Sequence, residues 1–161
     1  RLLVETLSEA LGLALDRLPD DVGDIARAEP EEWHALYGVV LDQLRAVVTP
    51  RITDGFAQQR IKGLARAIKY LEAIDLTGRT LADRELADLE SVLGMRPSST
   101  LSGRAQLARA VRDATIDPHA ALAVIYRRVQ RDNLLLRGSS GVLAERHFDP
   151  LTRFANRNPE G

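Results

Sequence analysis

Hydrophobic residues recur along this chain at the three- and four-residue intervals that are typical of amphipathic helices. The clusters of Val, Ile, Thr and aromatic residues that favour strands are missing. The pattern therefore predicts an all-α protein: a single-domain bundle of about six helices over residues 1–138 and an irregular C-terminal arm over residues 139–161.

Prolines delimit the first two predicted helices. The first ends at Pro19, and the second begins near Pro30 and ends or kinks at Thr49, because Pro50 disfavours helical geometry in the residue before it. The stripes predicted to be buried are Val4, Leu7, Leu11, Leu15 and Leu18 on the first helix, and Trp33, Leu36, Val40, Leu44 and Val47 on the second.

The third predicted helix runs from about Asp54 to Ile74, with an apolar seam of Ile61, Leu64, Ile68 and Leu71. Gly78 predicts a loop after it. Thr80 then caps a fourth helix, which ends at Gly94.

Ser102 is predicted to cap the fifth helix, which carries Leu107, Val111 and Ala114. Asp117-Pro118 begins the sixth, an Asx cap followed by proline at the first helical position, and this helix ends near Gly138. The arm beyond it contains Phe148, Leu151 and Phe154. We expect these three side chains to pack on the body or on a second copy, which makes the chain a candidate homodimer.

Composition narrows the class of protein. Hydrophobic content of 45% and charged content of 28% are ordinary for a globular domain. All basic residues except Lys62 and Lys69 are arginines, a skew that favours a GC-rich bacterial origin. The sequence has no cysteine, which excludes disulfides, thiolate nucleophiles and Cys-based metal sites and is compatible with the cytoplasmic location that we expect. No apolar run reaches the ~18 residues of a membrane span, and the start at Arg1 is consistent with removal of a preceding segment.

Charge is unevenly distributed along the chain. Residues 1–32 have a net charge of −6, and residues 96–137 have a net charge of +5. Such a dipole can attract an anionic partner. The simpler interpretation is that the two regions face each other or lie on solvated surfaces.

The sequence lacks the common motifs of catalysis and of metal or cofactor binding. His34, His119 and His147 stand in separate segments, and there is no H-E-x-x-H, G-x-S-x-G or phosphate-binding glycine loop. We therefore expect no metal and no cofactor, and an enzyme is the less favoured interpretation. An acid/base pair of carboxylates stays open, because such a pair leaves no local signature.

Charged residues on the third and sixth helices supply the candidate binding residues. Lys62, Arg66 and Lys69 form a row that is chiefly the solvent face of a helix, with an anionic ligand or an acidic partner as the functional alternative. Arg60 borders the apolar seam, where its guanidinium can reach another helix.

The sixth helix carries Arg127, Arg128, Arg131, Asp132 and Asn133. Asp132 follows Arg128 by four residues and is predicted to pair with it. Asn133 follows Val129 by four and is predicted to turn partly inward, with Arg60 as its partner in a structural clasp between the third and sixth helices. The less favoured alternative is a small helical enzyme or ligand-binding protein that uses Arg60, Asp132 and Asn133.

A DNA-binding alternative rests on residues 85–112, which loosely match a helix-turn-helix followed by a basic surplus. The connection MRPSSTLSG is longer than the turn of that motif. Its second helix offers only Arg104, Gln106 and Arg109 for reading bases. We therefore expect no nucleic-acid partner.

The stretch from Val40 to Glu72 contains a pattern formed by Val40, Leu41, Leu44, Val48, Pro50, Phe56, Arg60, Ile61 and Glu72. With these residues the stretch resembles a small all-helical bacterial domain of unknown function, which is associated with aminoglycoside-phosphotransferase-like kinases and acyl-CoA dehydrogenases. Residues 86–94 and Asp132-Asn133 extend the resemblance to about residues 39–136, although Leu134 replaces the family's proline. The resemblance implies an accessory, protein-binding role beside a metabolic enzyme.

Overall fold

Helices make up all the regular secondary structure that a computed structural model describes, over residues 2–12, 25 and 27–140. Five α-helices follow in chain order: α1 (Leu2–Ala10), α2 (Ala35–Asp42), α3 (Gly55–Leu93), α4 (Thr100–Arg112) and α5 (Pro118–Ser140). The all-α prediction is confirmed for this part of the chain, with one α-helix fewer than the six expected. Leu15 and Leu18, and the arm residues Phe148, Leu151 and Phe154, lie outside the described residues.

The third and fourth predicted helices are one element. Helix α3 has 39 residues and is about 58 Å long. Gly78 does not interrupt it, because a glycine within a helix costs only about 1 kcal/mol relative to alanine and residues 52–96 contain no proline. Thr80 therefore lies within the helix and does not cap one. The hydroxyl of Thr77 donates to the Ala73 carbonyl at 2.7 Å and leaves the helix continuous.

Pro50 distorts the helix before it, as predicted. Helix α2 passes into a π-helical turn (Gln43–Val48) and then a 3-10 turn (Thr49–Arg51). The wider turn accommodates a proline ring that an α-helix would press against an earlier carbonyl. Both the N–H and the hydroxyl of Thr49 donate to the Leu44 carbonyl.

Polar caps fix the ends of the long helices. Asp54 caps α3 by accepting from the N–H of Ala57, and Gly94 ends it with a φ of 72°. Asp117 accepts from the N–H groups of His119 and Ala120 at the start of α5, as predicted. The predicted cap of the next helix was three residues late, because Ser99 is the cap of α4 and accepts from the N–H of Ser102.

The core lies where the C-terminal part of α3 meets α4 and α5. Leu89, Leu107, Ala121 and Val124 form one buried cluster, and Val92, Leu93, Ile116 and Ile125 pack around it. Val4 of α1, which packs on α5, is also buried. None of the described helices is both long and apolar enough to cross a membrane.

Much of the predicted burial is wrong away from this core. Along residues 33–48, Trp33, Leu36, Val40 and Val47 are exposed and Leu44 is half-buried. On α3, Ile61 is buried, but Leu64 and Leu71 of the same seam are exposed. Leu7, Leu11, Val111 and Ala114 are also exposed. The apolar stripes exist, but much of their surface is exposed in the part of the chain that the structure describes.

Candidate functional site

Helices α2 and α3 form an antiparallel hairpin. His34, at the start of α2, lies against Glu72 and Asp75 in the middle of α3. The π-helical turn, the 3-10 turn and residues 52–54 join the other end of α2 to the start of α3. Helix α2 therefore runs back along the first half of α3.

The imidazole of His34 fastens the open end of this hairpin. Its Nδ1 lies 3.0 Å from Oδ2 of Asp75, its Nε2 lies 3.5 Å from Oε1 of Glu72, and its ring meets Tyr37 edge-on. Each ring nitrogen faces a carboxylate, so the three side chains are hydrogen-bonding and ion-pairing partners and do not point at a common centre. Among the described residues, no group of three His, Asp or Glu side chains is arranged to hold a metal ion.

Large apolar side chains are exposed along both helices of the hairpin. Trp33 is 50% exposed and Leu36 is 61% exposed on the α2 side. On α3 the exposed fraction is 75% for Phe56, 57% for Leu64 and 52% for Leu71. We call the hairpin face the set of seven residues Trp33, Leu36, Val40, Phe56, Leu64, Leu71 and Ile74.

Helix geometry places the apolar residues of the hairpin face at different angles from the contact between α2 and α3. Successive residues of an α-helix turn by about 100°, which places Leu64 and Leu71 roughly a quarter-turn from the side of α3 that carries Ile61 and Glu72. Val40 and Leu36 lie about 120° and about 160° from the α2 side that carries His34. Because the two right-handed helices are antiparallel, offsets of the same sense point toward one side of the pair, although Leu36 is directed largely away from α3.

A second feature is a charged network between α3, α4 and α5. Glu85 on α3 is only 6% exposed and binds Arg104 of α4 in two hydrogen bonds of 2.6 Å, from Nε to Oε1 and from Nη2 to Oε2. These hydrogen bonds raise the pKa of the Arg104 guanidinium; burial opposes the shift, and the charges of Glu85 and Asp132 add to it. The pair ties α4 to α3 in the correct register.

Asp88, one turn further along α3, holds two arginines of α5. Nη2 of Arg131 donates to Oδ2 of Asp88 at 2.6 Å, and Arg131 is 4% exposed. Nε of Arg127 lies 3.0 Å from Oδ1, but at an angle that makes the contact an ion pair without a hydrogen bond. Arg128 lies 3.9 Å from Glu85 and 3.6 Å from Asp132. The predicted pairing of Arg128 with Asp132 is confirmed.

In the described part of the chain, helices α3 and α5 are joined by polar contacts, but Arg60 and Asn133 of the predicted clasp do not take part in them. Arg60 and Asn133 are both exposed, and Asn133 does not turn inward. Arg60 stands 25 residues before Glu85 on the same helix, about 37 Å along its axis, whereas Asp132 lies within the network beside Glu85. The structure therefore does not bring Arg60 together with Asp132 and Asn133. Arg66 is exposed on the cation row with Lys62 and Lys69.

Sequence reasoning missed the carboxylates of this network. Glu85 lies between Leu81 and Leu89 at four-residue spacing, so a charge occupies a position of the buried stripe of α3. Arg131 likewise follows the buried Val124 by seven residues on α5. Glu85 and Arg131 are thus charged residues at positions where the helical pattern predicts a buried apolar residue. That signal could have predicted a charged contact between α3 and α5.

The residues of the DNA-binding alternative are largely engaged within the protein. Arg104 binds Glu85, and the amide of Gln106 lies 3.2 Å from the Ser102 hydroxyl. The basic surplus of residues 96–137 is opposed by acids of α3, because Arg96 also pairs with Glu90 at 3.0 Å. Arg109 alone of the three base-reading candidates has an exposed side chain.

No family model, no curated protein and no solved structure matches this chain.

Proposed function

We propose that this chain is a non-catalytic protein-interaction domain, of the accessory kind that acts beside a metabolic enzyme, and that two copies associate through the hairpin face. The observation that carries the proposal is the hairpin face itself, where seven large apolar side chains of two packed helices are between 37% and 75% exposed. Hydrophobic residues scattered singly on a surface are normal, whereas a contiguous patch marks an interaction site.

The size of the hairpin face suits a stable dimer. From the exposed fractions, its seven side chains present roughly 700 Å² of apolar surface, close to the roughly 800 Å² that each partner contributes to a standard interface. Helix α2 supports the same conclusion. It is apolar on nearly all sides but has no buried residue, and a helix of that composition is normally covered.

The charges along the hairpin favour a second copy as the occupant. Exposed Arg51 and Arg60 lie near the connection, and exposed Glu31 and Glu32 lie at the open end. If two copies pack α3 against α3 in opposite directions about Ala67, the basic end of each meets the acidic end of the other. A two-fold interface requires such self-complementarity, and the charges would select this orientation over the parallel one.

Mass in solution tests this arrangement. We expect a dimer by sedimentation equilibrium, and we expect the double variant Leu64→Glu/Leu71→Glu to be a monomer with an unchanged helical circular dichroism spectrum. Leu101→Glu on α4 is the matched control, because Leu101 is 76% exposed and lies outside the hairpin face. A monomeric wild-type chain, or a control variant that dissociates equally, would refute the second copy as occupant.

The orientation has its own test. Arg60→Glu places like charges opposite one another in the antiparallel dimer and should weaken it, more at low salt than at high salt. Adding Glu31→Arg and Glu32→Arg in the same chain should restore association. A restored dimer argues for the antiparallel arrangement; equal weakening by both changes argues against it.

The role beside a metabolic enzyme is tested by capture of the tagged chain from its native cell extract. We expect a kinase-like or acyl-CoA enzyme to co-purify in near-stoichiometric yield. Recovery of the chain alone would contradict that part of the proposal and leave the dimer unaffected.

A further inference from the structure

A cleft of about 660 Å³ opens where the middle of α3 and the end of α5 meet Ile25 and Arg27. Lys69 and Ala73 of α3, which line it, lie on the opposite side of that helix from Leu64 and Leu71, because 100° steps place them about half a turn away. The cleft is therefore separate from the hairpin face. Its lining residues are Ile25, Arg27, Lys69, Glu72, Ala73, Leu76, Thr77, Leu134, Arg137 and Gly138.

Backbone structure holds the three walls in place. The N–H of Ala28 donates to the Leu76 carbonyl at 2.8 Å, which fixes the segment beside Arg27 across α3. A carbonyl oxygen has two lone pairs, so Leu76 can accept this bond and remain within its helix. Leu134 and Arg137 are three residues apart and lie on one face of α5.

The cleft concentrates positive charge over an apolar floor. Arg27, Lys69 and Arg137 come from three distant parts of the sequence, and within the described residues none of them has an ion-pair partner. Glu72 is the one acid in the lining, and it lies 3.5 Å from Nε2 of His34. Ile25, Ala73, Leu76 and Leu134 supply the apolar surface.

We infer that this cleft binds a small amphipathic anion, a carboxylate or phosphate group attached to an apolar body. Clefts of 300–1,000 Å³ that combine apolar side chains with a few polar or charged groups are typical small-molecule sites. The three cations attract and orient the anionic group, and the apolar floor covers the rest of the ligand. The inference is independent of the hairpin face.

A comparison of the two lysines of the chain can distinguish a binding site from a solvated cationic surface. Lys62 and Lys69 are both exposed and are two turns apart on the same side of α3, but only Lys69 lines the cleft. Substituting either lysine removes one surface charge from the same helix face. Only Lys69→Gln should change the affinity of the cleft.

Isothermal titration of the full chain with octyl phosphate, octanoate, inorganic phosphate and neutral 1-octanol tests the inference. We expect octyl phosphate or octanoate to bind with one site per chain, and 1-octanol to bind at least tenfold more weakly. The stronger of the two anions identifies the preferred group. Because the cations are solvent-exposed, Lys69→Gln and Arg137→Gln should each weaken binding by only about threefold to fivefold, and Lys62→Gln should leave it unchanged.

Several results would overturn the inference. Equal binding of 1-octanol would show that charge has no part in it. Equal effects of Lys69→Gln and Lys62→Gln would show that the ligand lies elsewhere, and so would loss of binding in Leu64→Glu/Leu71→Glu. Binding of inorganic phosphate with the affinity of octyl phosphate would remove the role of the apolar floor. No measurable binding of either octyl anion would refute the site itself.

Discussion

At the scale of single residues, the contribution of an ion pair to the stability of this protein depends on how far its side chains are buried. Glu90 and Arg96 pair at 3.0 Å with about half of each side chain in water, and exposed pairs of this kind contribute at most about 1 kcal/mol. Glu85 makes two short bonds to Arg104 from a position that water barely reaches. Removal of its carboxylate leaves Arg104 and Arg128 beside a buried cavity, without the opposing charge of Glu85.

We therefore expect Glu85→Ala to lower the free energy of unfolding by about 2–3 kcal/mol, less than the 3–5 kcal/mol of a fully buried pair because Arg104 is partly solvated. Glu90→Ala on the same helix should cost at most about 1 kcal/mol. Urea denaturation measures both values. Equal costs would contradict the structural role of the Glu85–Arg104 pair.

The raised pKa of Arg104 gives this pair a defined pH dependence. A cation whose pKa is raised by folding holds its proton more tightly in the native state, so its contribution is complete at pH values below its ordinary pKa. It is lost only as the pH rises through the raised pKa, far above the neutral range. The titration of Arg104 should therefore leave the unfolding free energy unchanged across the neutral range.

At the scale of elements, close approach of α4 to α3 depends on Gly103. A Cβ atom at this position would lie 2.7 Å from Cδ1 of Leu89 and 2.8 Å from Cγ of Pro97. The leucine can adjust, but the proline ring cannot. The glycine thus allows the loop after α3 and the start of α4 to pack on the core.

Gly103→Ala should destabilise the protein by about 1–3 kcal/mol through overpacking, which exceeds the gain of up to about 1 kcal/mol in helix propensity. Gly38→Ala in α2 is the matched control, since a Cβ there meets nothing within 4 Å, and it should stabilise by about 0.5–1 kcal/mol. Thermal unfolding of both variants gives the signs. A stabilised Gly103→Ala variant would show that α4 can move away from α3.

The positions of the helices could be predicted from the sequence more accurately than the contacts between them. Many helix starts, ends and breaks are local, so the start near Asp54, the end at Gly94, the cap Asp117 and the distortion before Pro50 could be recognised from a few residues each. Thr80 and Ser102, however, were wrongly predicted as caps. Gly78 was misinterpreted because a glycine ends a helix only where the chain also turns, and that depends on tertiary packing. The Glu85 and Asp88 network could not be derived, since its arginines are 19 and 43 residues away in the sequence.

At the scale of the whole molecule, stability is unevenly distributed along α3. Three of its four buried residues, Leu81, Glu85 and Leu89, lie in its C-terminal part, and only Ile61 is buried in the part that pairs with α2. Local opening is favoured where few apolar contacts are buried. In a single copy, the hairpin is therefore the less stable region, although α3 is one continuous helix.

Hydrogen exchange can separate the two regions and test the dimer at the same time. Amides of residues 81–93 should exchange slowly at every protein concentration, because α4 and α5 cover them within one chain. Amides of residues 56–78 should exchange faster in dilute protein and become slower as concentration rises, because a second copy would cover the hairpin face. In Leu64→Glu/Leu71→Glu the concentration dependence should disappear, while residues 81–93 keep their protection. Uniform protection of α3 at all concentrations would instead mean that a single copy already stabilises the hairpin, and that its exposed apolar residues do not require a partner.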